Sequence, residues 1–246
     1  MTYCLAIKVN KGLVFASDSR TNAGVDYVST YSKMHTFAWE GDRVCVILTA
    51  GNLATSQAVV NLIQRDLEQE DGEFNLRKAD YMHEIAHYVG KLSQREQRLH
   101  LPATEKSKIN LDASFIVGGQ IGDNAPEIYL VYPQGNYISA SPETPYLQIG
   151  ENKYGKPILD RIISPDTSLE DAARCALVSE DSTMRSNVTV GPPFELAIYA
   201  ADSLEEPRYM NLKLASPFYK SLQKSWNDGL QRAFKRLPKF DWEKEK

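Results

Sequence analysis

The second residue of the chain is a threonine, Thr2, directly behind Met1. A side chain this small permits removal of Met1 during maturation. Removal would leave an α-amino group and a hydroxyl on one residue, and that pair can carry out nucleophilic chemistry by itself, the hydroxyl attacking while the amine takes its proton. An α-amino group titrates near ~7.7–8.0, so it can act as a base at cellular pH where a lysine cannot. A threonine at position 2 is common and carries no function alone. The question is whether the chain delivers charged partners beside it.

The local pattern is suited to that. Tyr3 to Val9 is β-branched, aromatic and apolar, Asn10-Lys11-Gly12 is a turn, and Leu13 to Ser17 reads as a second strand. The hairpin returns the chain to the level of Thr2, and the residue arriving there is Asp18, followed by Ser19-Arg20. Beyond a loop containing Gly24 comes Ser29 to Lys33. A carboxylate and an ammonium can therefore reach the N-terminus from two neighbouring segments. The plainer alternative is a surface Asp–Lys pair worth about 0–1 kcal/mol, and spacing alone leaves both readings open.

A second motif has the look of a protease. His83-Glu84-Ile85-Ala86-His87 spells H-E-x-x-H on an expected helix, the signature of zinc proteases. Gly90 falls where the longer signature has a glycine, but Ser93 stands where it asks for a third histidine. The apolar stripe of this helix is Met82, Ile85, Val89 and Leu92. At about 100° per residue, His83 and His87 project away from that stripe. The expectation is a solvated or interfacial histidine pair and no metal site.

The remaining elements read as strands near 43–48, helices near 53–68 and 78–99, strands near 113–119, 127–132, 136–140 and 146–149, helices near 153–163 and 168–179, and closing strands near 194–200 and 209–212. Strands, a helix pair, strands, a helix pair and strands suit an α+β sandwich of four layers, αββα, with two antiparallel sheets between helix layers. No linker, repeat or low-complexity tract divides the chain, so 1–246 is expected to be a single domain. Its 216–246 portion reads as an amphipathic helix and tail, with Tyr219, Leu222, Trp226, Leu230 and Phe234 on one stripe.

Composition narrows the setting. A formal charge of −4 with scattered signs argues against nucleic acid. No apolar run approaches the ~20 residues of a membrane span, and the N-terminus lacks the regions of a signal peptide. Cys4, Cys45 and Cys175 read as buried reduced thiols, which fits a cytoplasmic protein.

Taken together, three phrases resemble the proteasome β-subunit superfamily, and within it the bacterial proteasome-like group called Anbu, the ancestral β subunit. They are Ser17-Asp18-Ser19-Arg20-Thr21-Asn22-Ala23-Gly24-Val25-Asp26, Leu48-Thr49-Ala50-Gly51-Asn52-Leu53-Ala54-Thr55, and Asp181-Ser182-Thr183-Met184-Arg185-Ser186-Asn187. The resemblance covers nearly the whole chain and implies the N-terminal-nucleophile hydrolase fold. Thr2 matches the nucleophile, and Asp18 the acid that orients the groups around it. Lys33 matches the lysine that lowers the proton affinity of the amine and hydroxyl. Gly51 matches the glycine whose N–H holds the oxyanion, and Arg20 a structural arginine beside the acid. Asp181 and Ser186 fall where the family places an auxiliary Asp and Ser, with altered spacing. Asn22, Tyr31, His35, Thr49 and Leu53 are candidates to line the substrate pocket. Glu151 is a departure, because a proteasome subunit typically carries there a serine that supports the proton relay.

The resemblance thus implies a threonine peptidase or amidohydrolase that needs no cofactor and assembles into a large homo-oligomer, ring or helical. An ATPase partner remains open. Two other readings stand beside it: a catalytically weak scaffold on the same fold, kept open by Glu151, and a zinc protease through His83-Glu84-Ile85-Ala86-His87.

Overall fold

The computed structural model describes residues 2–22, 28–69, 74–104 and 110–243. Met1 and the loop containing Gly24 lie outside the described residues. The N-terminal hairpin forms as the pattern requires: β1 (Tyr3–Val9) and β2 (Gly12–Asp18) pair antiparallel, with Cys4 opposite Ser17 and Val9 opposite Gly12. A short ribbon, β3 (Arg20–Asn22) with β4 (Val28–Thr30), follows. Next come β5 (Met34–Trp39), β6 (Arg43–Gly51), α1 (Leu53–Glu68) and α2 (Met82–Thr104). Four strands succeed them: β7 (Ala113–Ile121), β8 (Glu127–Val131), β9 (Tyr137–Ser139) and β10 (Tyr146–Gly150). The chain then runs through α3 (Lys156–Ile162), α4 (Leu169–Ser186), β11 (Phe194–Ala200), β12 (Arg208–Leu212) and α5 (Pro217–Lys235).

Ten strands make two antiparallel five-stranded sheets, ordered β10-β1-β2-β11-β12 and β5-β6-β7-β8-β9. Strand periodicity assigns each side chain to a layer. Along β1, Tyr3, Leu5, Ile7 and Val9 pack under α3, α4 and α5 with Leu159, Ala176 and Tyr219, while Cys4 and Ala6 face the second sheet. Along β6, Cys45 and Ile47 join Val59, Ile63, Ile85 and Val89 of α1 and α2, while Val46 and Leu48 meet Phe15 and Ile149 between the sheets. A one-residue slip in either strand would exchange its two layers, so register is strongly specified. The fold is the αββα sandwich expected from the element order.

Some boundaries differ from the sequence reading. β5 and the β3–β4 ribbon were not anticipated; β3 and β4 are three residues each and mostly polar, and His35 and Thr36 interrupt the apolar residues of β5. α2 starts at Met82, not near 78, because the Glu84 carboxylate accepts the N–H groups of Asp80 and Tyr81 and starts the helix there. α4 runs to Ser186, seven residues beyond the expected end; buried Glu180, Asp181 and Thr183 make its last two turns look polar. In α5 the expected stripe splits. Tyr219 is fully buried against Phe194, whereas Leu230 and Phe234 stand exposed. Among the described residues no helix is long and apolar enough to cross a membrane.

Candidate active site

Asp18 ends β2 at the level of Thr2 and is fully buried. Its Oδ1 accepts from the Lys33 ammonium at 2.6 Å and from the Tyr3 N–H at 3.0 Å, and its Oδ2 accepts from the Gly191 N–H at 3.1 Å. One carboxylate therefore joins the residue after Thr2, the lysine before β5 and the loop before β11. Lys33 is 4% exposed, and it also donates to the Arg20 carbonyl at 2.7 Å. This is a desolvated ion pair with hydrogen-bonded ends, not the surface pair that spacing alone allowed. Burial raises the Asp18 carboxyl above its usual range, and the Lys33 ammonium with the Tyr3 and Gly191 N–H groups opposes that shift.

The supports of this pair are themselves fixed. Arg20 donates to the carbonyls of Val188 and Val190 at 2.7 and 3.4 Å, and so holds the loop that presents Gly191. Glu195 is buried on β11, where it accepts from Ser32 at 2.8 Å, from the Lys33 N–H at 3.2 Å, from Ser17 at 3.3 Å and from Tyr209 at 2.8 Å. Sequence reasoning missed Glu195 and Gly191. Both lie far along the chain, and register alone brings Glu195 opposite Ser17.

Thr2 is half-buried, and its carbonyl accepts the Glu151 N–H at 2.7 Å. Gly150 makes that approach possible: at φ +83° it lies so close that a Cβ there would stand 1.9 Å from the Thr2 carbonyl oxygen. The Glu151 carboxylate accepts from the Asn187 side chain at 3.1 Å, and Asn187 in turn accepts from Thr189. A carboxylate–amide contact thus stands at the position where the sequence resemblance implied a serine.

The other expected residues divide. Gly51 closes β6 with φ +103°, and a side chain there would strike the Asp112 carbonyl at 2.3 Å. Thr49 is buried, and its N–H donates to the Lys33 carbonyl at 2.9 Å. Tyr31 is exposed, with its N–H on the Ser19 carbonyl at 3.0 Å. His35 is half-buried on β5 opposite Ile47, and burial lowers its proton affinity. Leu53 starts α1 behind the Asn52 cap. Asn22 lies on β3, and its side chain is outside the described residues. Asp181 is engaged by Tyr219 at 3.1 Å, by Gln223 and by Arg185 at 2.9 Å. Hydrogen bonding thus brings Asp181 to α5 and not to Thr2. Ser186 ends α4 exposed, and the link from this helix end to Thr2 runs through Asn187 and Glu151. Cys4 is fully buried, and burial pushes its thiol well above its ordinary range, which disfavours the thiolate a nucleophile needs.

The H-E-x-x-H segment is built differently. His83 and His87 are exposed, His83 stacked on Tyr81 and His87 edge-on to Tyr137, beside a cavity of about 750 Å³. Glu84 is occupied with the start of α2. Among the described residues no group of three or more His, Cys, Asp or Glu side chains is arranged to hold a metal ion.

Residues 2–199 match the family model described as proteasome subunit. The chain belongs to the proteasome subunit family. It is similar to the solved Anbu (ancestral β-subunit) from Yersinia bercovieri, at 42% identity over 98% of this chain and 99% of that one, with TM-score 0.91. It is similar also to the helical assembly of the Anbu complex from Pseudomonas aeruginosa, at 44% identity over 97% and 98% of the two chains, with TM-score 0.90. A proteasome subunit beta 2 from Pyrobaculum calidifontis is 24% identical over 82% of this chain and 90% of its own length.

Proposed function

We propose that this protein is a threonine-type peptidase or amidohydrolase in which Thr2, freed by removal of Met1, is the N-terminal nucleophile. The observation that carries the reading is the buried Lys33–Asp18 pair anchored to the N–H of Tyr3, the residue next to Thr2. In this mechanism Thr2 Oγ attacks the carbonyl carbon while its proton passes to the Thr2 amine. The Gly51 N–H stabilises the oxyanion. The amine then returns the proton to the leaving nitrogen as the C–N bond breaks, and water hydrolyses the acyl ester by the reverse route. The Lys33 charge favours the neutral amine and the developing alkoxide. Asn22, Tyr31, His35, Thr49 and Leu53 are the candidates for the substrate pocket, and the Glu151–Asn187 contact supports the helix end that carries Ser186. No cofactor enters the reaction.

The same reading includes a single domain over 1–246, a cytoplasmic setting and a homo-oligomer of ring or helical form. Exposed Leu230, Phe234, Phe240 and Trp242 at the far end of the chain support self-association. Phe234→Asp with Trp242→Asp tests the exposed end without removing buried Tyr219; smaller particles by light scattering are expected, and full-size particles place the interface elsewhere.

One observation favours a second reading, a catalytically weak scaffold on this fold: Glu151 holds Asn187 where a relay serine is typical. Labelling with a peptide epoxyketone or β-lactone separates the two. The peptidase reading expects stoichiometric acylation lost in Thr2→Ala. A wild-type chain that lacks Met1 and still does not label favours the scaffold.

A further inference from the structure

α4 carries an anomaly that the proposed mechanism does not use. Its sheet-facing stripe starts at the adjacent Ala172 and Ala173 and continues through Ala176, Glu180 and Thr183 at steps of three or four residues. The alanines let the helix come close to β1 and β2, and the stripe leads on to Asn187 and thence to Glu151 and Thr2. In the middle stands a carboxyl group. Glu180 is 0% exposed, and among the described residues neither of its side-chain oxygens has a hydrogen-bond partner. Its neighbour in sequence, Ser179, bonds the Tyr3 hydroxyl at 2.7 Å. An ionised carboxylate cannot persist in such a place without a partner; the group sheds its charge instead.

The groups around it are set by the elements packed on α4. β1 contributes Tyr3, β2 contributes Asp18 with its partner Lys33, and α5 contributes Tyr219, while Cys4 and Glu195 lie on the opposite face of the same sheet. α3 brings Lys156, Asp160 and Arg161 on its exposed side. Lys33 is the cation of this set, and Asp18 and Glu195 already hold its side chain and its backbone. A third negative charge would oppose the field that Lys33 exerts at Thr2.

We propose that Glu180 is a positioning residue held as a neutral acid beneath the Asp18–Lys33 pair, and that its neutrality leaves the Lys33 charge available to Thr2. The inference of a role in the reaction rests on the threonine-nucleophile reading; the neutral acid does not. Burial, with Asp18 adding to it and Lys33 opposing, pushes the Glu180 proton affinity well above the carboxylate range. A raised value in the folded state has a definite sign. The unfolded chain ionises this group from about pH 4.3 upward, so the wild type loses stability as pH rises from there to the folded value. An uncharged replacement does not.

The experiment compares full-length wild type with Glu180→Gln, and with Glu180→Met should the amide not be tolerated. Unfolding midpoints are measured between acid and alkaline pH. The variant is expected to melt about 4 °C or more above wild type at pH 8, with the gap closing toward pH 4. A gap independent of pH, or a variant less stable at pH 8 than at pH 4 relative to wild type, overturns the neutral acid. The second arm is the pH profile of epoxyketone labelling. The variant is expected to match wild type within about twofold at neutral pH, with its alkaline limb about one unit higher. Coincident alkaline limbs overturn the positioning role. If wild type lacking Met1 labels at no pH, the nucleophile reading and the positioning role fall together, and the unfolding arm still decides the neutral acid.

Discussion

Two regions of this molecule spell a protease motif, and they are built in opposite ways. At the hairpin end, Asp18 and Lys33 are removed from water, meet at 2.6 Å and are braced by backbone N–H groups, by Arg20 and by Glu195. On α2, His83 and His87 are exposed and lean on tyrosine rings, while the glutamate between them is used to begin the helix. Local spacing was satisfied in both places. What separates them is desolvation and a supporting shell, because charges act strongly on a reaction only where water does not screen them and their geometry is already fixed.

The contrast can be broken by mutation. Thr2→Ala is expected to abolish electrophile labelling, a loss of at least about a thousandfold, with unchanged circular dichroism. Asp18→Asn and Lys33→Ala come next, each lowering labelling by about a hundredfold or more. Lys33→Ala also costs about 3–5 kcal/mol of stability, since it strands a buried carboxylate; denaturant titration measures that. Gly150→Ala sharpens the comparison from the backbone side. Its Cβ would collide with the Thr2 carbonyl, so labelling falls and stability drops by about 1–3 kcal/mol. The smallest effect belongs to the other region: His83→Ala with His87→Ala is expected to change stability by less than about 0.5 kcal/mol and labelling by less than about twofold, and a chelator is expected to leave labelling unchanged.

The sandwich was legible because its strands are long and apolar and its helices are spaced between them. The hairpin that carries Asp18 could be read because β1, the turn and β2 are contiguous. What escaped were long-range partners. Glu195 reaches Ser17 through strand pairing across 178 positions, and Gly191 reaches Asp18 from a loop before β11. Asp181 shows the opposite limit: its place in the sequence suggested the N-terminus, and its bonds lead to Tyr219 and Gln223 of α5. One residue away and about 100° around the axis, Glu180 meets the sheet instead of α5. Both carboxylates are buried, and local sequence does not tell which of the two is met by α5 and which is left against the sheet.

The central claim is that Thr2 is a free N-terminal nucleophile, and intact-protein mass spectrometry before and after treatment with a peptide epoxyketone tests it most directly. The account predicts a chain from the native host that lacks Met1, gains one adduct, and yields that adduct on the peptide beginning at Thr2. A chain that keeps Met1, or an adduct that maps to Cys4 or any other side chain, would contradict it.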